Sequence, residues 1–129
     1  MPYVDIVTAL AVLQFLWFGL RVGSAREKYG VKAPGVTGNE VFERHFRVQQ
    51  NTLEQLILFL PGLYLFSHYF NPLYAAALGV PYLVGRTLYA RSYVRDPASR
   101  GAGFLTGAIP TLVLIAGGLV GAIMRTLGH

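Results

Sequence analysis

The sequence predicts an all-α membrane protein, a single domain over residues 1–129 folded as a four-transmembrane-helix antiparallel bundle. Three observations carry this expectation. Hydrophobic residues make up 53% of the chain and charged residues only 13%, about half the charged share of a typical soluble domain. Four apolar segments, 3–20, 56–70, 72–90 and 104–124, recur along the chain, and a bilayer needs roughly 20 mostly apolar residues per spanning helix. Every Lys and Arg except Arg125 falls either between the first two segments or from the end of the third segment to Arg100. This balance excludes a disordered chain, a collagen-like chain and an ordinary soluble enzyme.

The first helix is expected near 3–24, its apolar run broken only by Asp5, Thr8 and Gln14. It lacks the basic leading region and small-residue cleavage site of a signal peptide. The second helix, about 40–69, has a short apolar run and borrows the polar stretch before it. Asn39 is placed to cap it, and Glu40 and Glu43 suit the positive end of the helix dipole. Asn71-Pro72 forms the hinge into the third helix, about 72–95, which carries Arg86. Asp96-Pro97 and Gly101 mark the next loop, and the fourth helix, about 102–125, has no charge in its apolar run. Pro61, Pro81 and Pro110 fall inside spans, where proline is tolerated. Gly103-x-x-x-Gly107 and Gly117-x-x-x-Gly121 on the fourth helix allow close helix approach, within a subunit or between subunits.

The basic residues also orient the bundle. Both long loops are expected in the cytoplasm, with the termini and the 67–73 hinge outside, and the expected location is a bacterial inner membrane. Because these charges flank membrane segments, no nucleic-acid partner is expected. The chain has no cysteine, so it offers no disulfide framework, thiolate metal site or cysteine nucleophile. Any thiol chemistry needs a thiol brought by a ligand. His45, His68 and His129 are scattered, which argues against a metal site. No Ser-His-Asp arrangement, Walker loop or dinucleotide motif is present.

Residues 38–54 read GNEVFERHFRVQQNTLE, and on a helix Glu43, Arg47, Asn51 and Glu54 form one polar stripe at spacings of four, four and three. Surface pairs Glu43–Arg47 and Glu40–Arg44 would explain part of it. Glu54 borders an apolar run, where an acid is costly unless it is paired or functional. On the third helix, Tyr82, Arg86, Tyr89 and Tyr93 form a second stripe. It is either an interfacial aromatic belt or a bundle-facing surface in which Arg86 pairs with Glu54.

The run FERHFRVQQNTLE resembles the signature of the MAPEG superfamily, the membrane-associated proteins in eicosanoid and glutathione metabolism. Glu43, Arg44, Arg47, Gln49, Asn51 and Glu54 stand in register with it. A second match, Arg86, Tyr89, Tyr93, Arg95 and Arg100, is similar to the third-helix pattern of the branch containing microsomal glutathione transferase two and leukotriene-C synthase. Ser24-Ala25-Arg26 is a third match. The resemblance implies a homotrimer with glutathione as co-substrate between neighbouring subunits and no metal. It implies that Arg47, Asn51, Glu54 and Tyr93 hold the tripeptide, helped by Arg26, Gln49 and Tyr89. Arg100 would sit by the sulfur and stabilise its thiolate, and would be the catalytic residue. The partner substrate would be a lipophilic electrophile or lipid hydroperoxide arriving from the membrane lipid. The implied activity is a glutathione transferase, with peroxidase activity as an extension and a non-catalytic lipid- or glutathione-binding protein as the alternative. Three positions depart from the pattern: Glu27 replaces a second arginine, Gln55 replaces a tyrosine and Val48 replaces an alanine.

Overall fold

Local signals set the helix ends in the computed structural model, which describes residues 1–128. Helix α1 spans Pro2–Tyr29, with proline in its first turn, where a missing N–H costs nothing. It runs five residues beyond the expected end at 24. Residues 25–29 contain no breaker, and the helix stops only at Gly30, which adopts the left-handed conformation (φ 70°) and donates its N–H to the Arg26 carbonyl. Helix α2 spans Glu40–Tyr69. The Phe42 N–H donates to Asn39 Oδ1 at 3.0 Å, and the Gly38 N–H donates to Glu43 Oε2 at 3.3 Å. Helix α3 spans Pro72–Arg95, capped by Asn71, whose Oδ1 accepts from the Leu73 N–H at 2.9 Å. A single 3₁₀ turn, Pro97–Ser99, leads into α4, Gly101–Thr126.

The inward faces pack into one apolar core. On α1, Val4, Val7, Ala11, Phe18, Val22 and Ala25 are buried at helical spacing. The first three meet Leu56, Phe59 and Leu63 of α2, Ala75, Ala76 and Tyr82 of α3, and Leu114 of α4. Phe59 and Tyr82 stack face to face, with ring centroids 3.7 Å apart.

Helix α4 is seated by its glycines, and the seat is inside the subunit. A side chain added at Gly103 would strike the Tyr89 backbone, and one at Gly85 of α3 would strike the backbone of Thr106 and Gly107. Further along, Gly117, Gly118 and Gly121 lie against Phe66, Leu65 and Tyr69 of α2. The expected small-residue faces therefore join α4 to α3 and α2.

The outward faces are strongly apolar. Ile57 is 64% exposed and Leu112 66%, and continuous exposed apolar surface marks contact with lipid or protein. By length and composition, α1 and α4 are each apolar enough to cross a membrane. Helices α2 and α3 are long enough, at 30 and 24 residues, but charges in their loop-proximal halves dilute their apolar character.

Gly85→Ala tests the α3–α4 seat. The added methyl must push two backbones apart, a form of overpacking that costs about 1–3 kcal/mol. Thermal unfolding in detergent is expected to show a clear loss for Gly85→Ala and little change for Gly101→Ala, where an added Cβ meets nothing within 4 Å.

Candidate functional site

The site is built on one buried cation. Arg86 is 1% exposed, and its Nη2 donates to Asn51 Oδ1 at 2.7 Å and to Thr52 Oγ1 at 2.9 Å. The guanidinium also lies 4.3 Å from the centroid of the Tyr89 ring, a cation–π contact. Thr52 in turn donates its hydroxyl to the Val48 carbonyl at 2.7 Å. The pairing of Arg86 with Glu54, one of the two readings of the α3 stripe, is not formed. Glu54 is exposed, and the one ion pair among the described residues joins Arg44 to Glu40 at 2.6 Å. Glu43 likewise does not pair with Arg47, because its carboxylate caps Gly38.

The bond to Arg86 has a chemical consequence for Asn51. Its carbonyl oxygen is occupied, so the group left to face a ligand is the amide NH₂, a donor. Two N–H-bearing atoms of Arg86, Nε and Nη1, are buried without a partner among the described residues.

Four other expected residues gather beside this pair. Tyr89 is buried and stacks on Tyr93, with centroids 5.6 Å apart. Arg86 and Tyr93 both lie against the Tyr89 ring, and Arg47 and Arg100 lie at the same end of the bundle. Arg100 opens α4, and its Nη1 donates to the Pro97 carbonyl at 2.7 Å, which uses one of five guanidinium N–H groups. Arg47, Asn51, Tyr89, Tyr93 and Arg100 thus converge at the end of the bundle where α2 begins and α3 ends. Glu54 follows Asn51 on the same stripe and is unpaired among the described residues.

Arg26 and Gln49 stand apart from this cluster. Arg26 Nη1 donates to the Gly35 carbonyl at 2.6 Å and, more weakly, to Val31 at 3.4 Å, while its guanidinium covers Phe42. It pins the loop between α1 and α2. Gln49 packs against α1, where a side chain added at Gly19 would lie 3.0 Å from Gln49 Nε2. At 3.6 residues per turn, Gln49 points about 200° away from both Arg47 and Asn51. One chain cannot bring both sets to one ligand.

Two residues gain roles that the sequence reading did not assign. Arg44 Nη1 donates to the Val94 and Arg95 carbonyls at 3.1 and 3.3 Å. It satisfies carbonyls that the end of α3 leaves without helical partners. His45 lies in the polar, loop-proximal half of α2. Burial, and then the nearby Arg21 guanidinium, hold its pKa below the ordinary 6.5.

The fold and site together define a helical membrane-type protein with a polar seam between α2 and α3. The sequence comparisons narrow this class. The profile of the MAPEG family matches residues 4–120. An uncharacterized protein of Synechocystis is 48% identical over 120 residues, covering 93% of this chain and 88% of that protein. Human microsomal glutathione S-transferase 2 is 41% identical over 114 residues, covering 88% and 78%. Bovine leukotriene C4 synthase is 36% identical over 121 residues, covering 94% and 81%. The chain belongs to the MAPEG family and is membrane-associated.

Two stability measurements check this site. Arg86→Met leaves the acceptors on Asn51 and Thr52 without their donor, at a cost of about 1–3 kcal/mol. A double-mutant cycle with Asn51→Leu is expected to show coupling, since the second change removes one orphaned acceptor. For His45, the folded state favours the neutral ring while the unfolded chain protonates at the ordinary pKa. Its contribution is therefore present above pH 6.5 and is lost as pH falls from that value through the lower pKa of the folded state. Thermal midpoints between pH 7 and 5 are expected to fall less steeply for His45→Gln than for the parent protein.

Proposed function

We propose that the protein is a membrane-bound glutathione transferase acting on lipophilic electrophiles. The observation that carries this reading is the grouping of Arg47, Asn51, Tyr93 and Arg100 at the Tyr89 end of the bundle, with Glu54 exposed and unpaired among the described residues. Glutathione presents two carboxylates, an ammonium, amide groups and a thiol. Arg47 suits a carboxylate. The Asn51 NH₂ suits a carboxylate or amide carbonyl, and Glu54 suits the γ-glutamyl ammonium. Relatives named as a glutathione S-transferase and as leukotriene C4 synthase cover most of this chain, which supports the same reading.

Arg100 is the group for the sulfur. A guanidinium favours thiolate over thiol, so the thiol proton leaves to solvent at neutral pH and the nucleophile population rises. The thiolate then attacks an electrophilic carbon. A sulfur–carbon bond forms and the leaving group departs with its electron pair. With a lipid hydroperoxide, two glutathione thiols would supply the two electrons that reduce the peroxide, giving the disulfide, the lipid alcohol and water.

The working unit in this reading is a homotrimer with four spanning helices per subunit. Arg26 and Gln49 of one subunit would face the Arg47–Asn51–Arg100 cluster of its neighbour, which accounts for their separation within one chain. Both long loops lie in the cytoplasm of a bacterial cell, the compartment that supplies glutathione, and the lipophilic substrate enters from the inner-membrane lipid.

Calorimetric titration of glutathione, with ultraviolet detection of thiolate in the same sample, tests this. The parent protein is expected to bind and to show thiolate at neutral pH. Arg100→Ala is expected to keep binding and lose the thiolate signal. Arg47→Ala and Glu54→Ala are expected to weaken binding by about tenfold or more, as loss of one partner of a charge pair does. Binding by the parent without thiolate would instead make it a non-catalytic binding protein. Absence of binding at millimolar glutathione by folded protein would overturn the assignment.

A further inference from the structure

A second concavity is lined by none of Arg47, Asn51 and Glu54. It is a crevice of about 660 Å³ between α1 and α3, floored by His45 and Val48 of α2. Its walls are apolar toward the middle of the bundle, with Trp17 and Phe18 on one side and Ala90 on the other. Arg21, Arg91 and Arg95 line its loop-proximal end, and none of its lining residues is acidic. At the inner end Gln14 Nε2 donates to the Leu83 carbonyl at 2.9 Å and to Thr87 Oγ1 at 3.0 Å, tying α1 to α3. Gln14 and Arg21 are seven residues apart, so the crevice extends roughly 10 Å along α1.

A separate, shallower hollow of about 260 Å³, lined by Leu83, Val84, Thr87 and Leu88, adjoins it at Thr87 on α3. Val84 is 48% exposed and Leu88 43%, so this track opens sideways, onto the face that meets lipid.

We propose that the crevice is a binding site for an acidic phospholipid of the surrounding membrane, with its phosphate held by Arg21, Arg91 and Arg95 and one acyl chain laid past Thr87 along Leu83, Val84 and Leu88. The charge and the track select the occupant together. Three arginines line a space without a carboxylate, and arginine is suited to bidentate contact with phosphate. Basic pockets between membrane helices on one leaflet bind acidic headgroups. A soluble phosphate would use the arginines but leave the apolar continuation unfilled. A zwitterionic lipid would fill the track but bring its own cation to three arginines. Orientation of the helices explains why arginines occur near this end of the bundle, but not why three of them face one crevice from two helices. The assignment does not depend on the glutathione reading, and its test uses no thiol.

Trp17 is the only tryptophan in the chain and lines the crevice, so its fluorescence reports the occupant directly. The protein is reconstituted in phosphatidylcholine vesicles titrated with lipid brominated on the acyl chains, carrying either a phosphatidylglycerol or a phosphatidylcholine headgroup. Because Trp17 is also 56% exposed, both lipids quench it by general contact, and the reading is the difference between them. Brominated phosphatidylglycerol is expected to reach half-quenching at about tenfold lower mole fraction. Arg21→Gln/Arg91→Gln is expected to abolish that preference, and Arg21→Lys/Arg91→Lys to retain most of it. Should the double variant fail to fold, Arg91→Gln alone is expected to reduce the preference severalfold. Equal quenching by the two headgroups, or a preference that survives the double variant, overturns the proposal. Displacement of the brominated lipid by soluble glycerol phosphate would reassign the crevice to free anions. Loss of the preference together with a change of oligomeric state would reassign it to contact between copies of the chain.

Discussion

The structure depends on a cation that has no counter-ion among the described residues. Arg86 sits in an apolar bundle with its charge shared among neutral partners: the Asn51 amide oxygen, the Thr52 hydroxyl and the face of Tyr89. An unpaired charge in such a place is expensive. The distribution works because each partner presents electron density without bringing a charge that would itself need burial. The same contacts set the register of α2 against α3, so the residues one turn to either side of Asn51 are placed by this bond.

The position of α4 follows from backbone contact and ends at the site. Gly85 and Gly103 let α3 and α4 touch without intervening side chains, and Gly103 rests against the Tyr89 backbone. Arg100 is three residues before Gly103. A contact made of absent side chains thus delivers a guanidinium to the neighbourhood of Tyr89 and Arg47. A larger residue at Gly103 would move the helix start and Arg100 with it. Packing in this protein therefore reaches directly into site geometry.

Much of this was legible in the sequence, for identifiable reasons. Asn39 and Asn71 each precede a helix they cap, and capping is a local rule that survives without tertiary information. The end of α1 was placed five residues short because apolar content fell away at 24, whereas only Gly30 carries a stop signal. The α2 stripe was legible from spacing, but the residue that would meet Arg86 was not. Charge complementarity pointed to Glu54, while the geometry selected two neutral neighbours, Asn51 and Thr52. The role of Arg44 had no sequence signal, since its acceptors are backbone carbonyls of Val94 and Arg95. The separation of Gln49 from Arg47 follows from helical geometry alone. Grouping the two by motif concealed it.

Helix α2 therefore works as a partition with two chemistries on its sides. Its seam face carries Arg47, Asn51 and Glu54, a set with donors, an acceptor and both signs of charge. Its inner face offers His45 and Val48 to a crevice whose lining has three arginines and no acid. The first arrangement can recognise a zwitterion, because the Arg86 bond leaves Asn51 a donor and the absence of a protein partner leaves Glu54 free for a cation. The second suits an anion, and the apolar hollow beside it suits an anion that carries a chain. A small polar ligand and a lipid would thus meet different stretches of one helix, which Arg86 and Thr52 anchor to α3 and Gln49, packed on Gly19, anchors to α1.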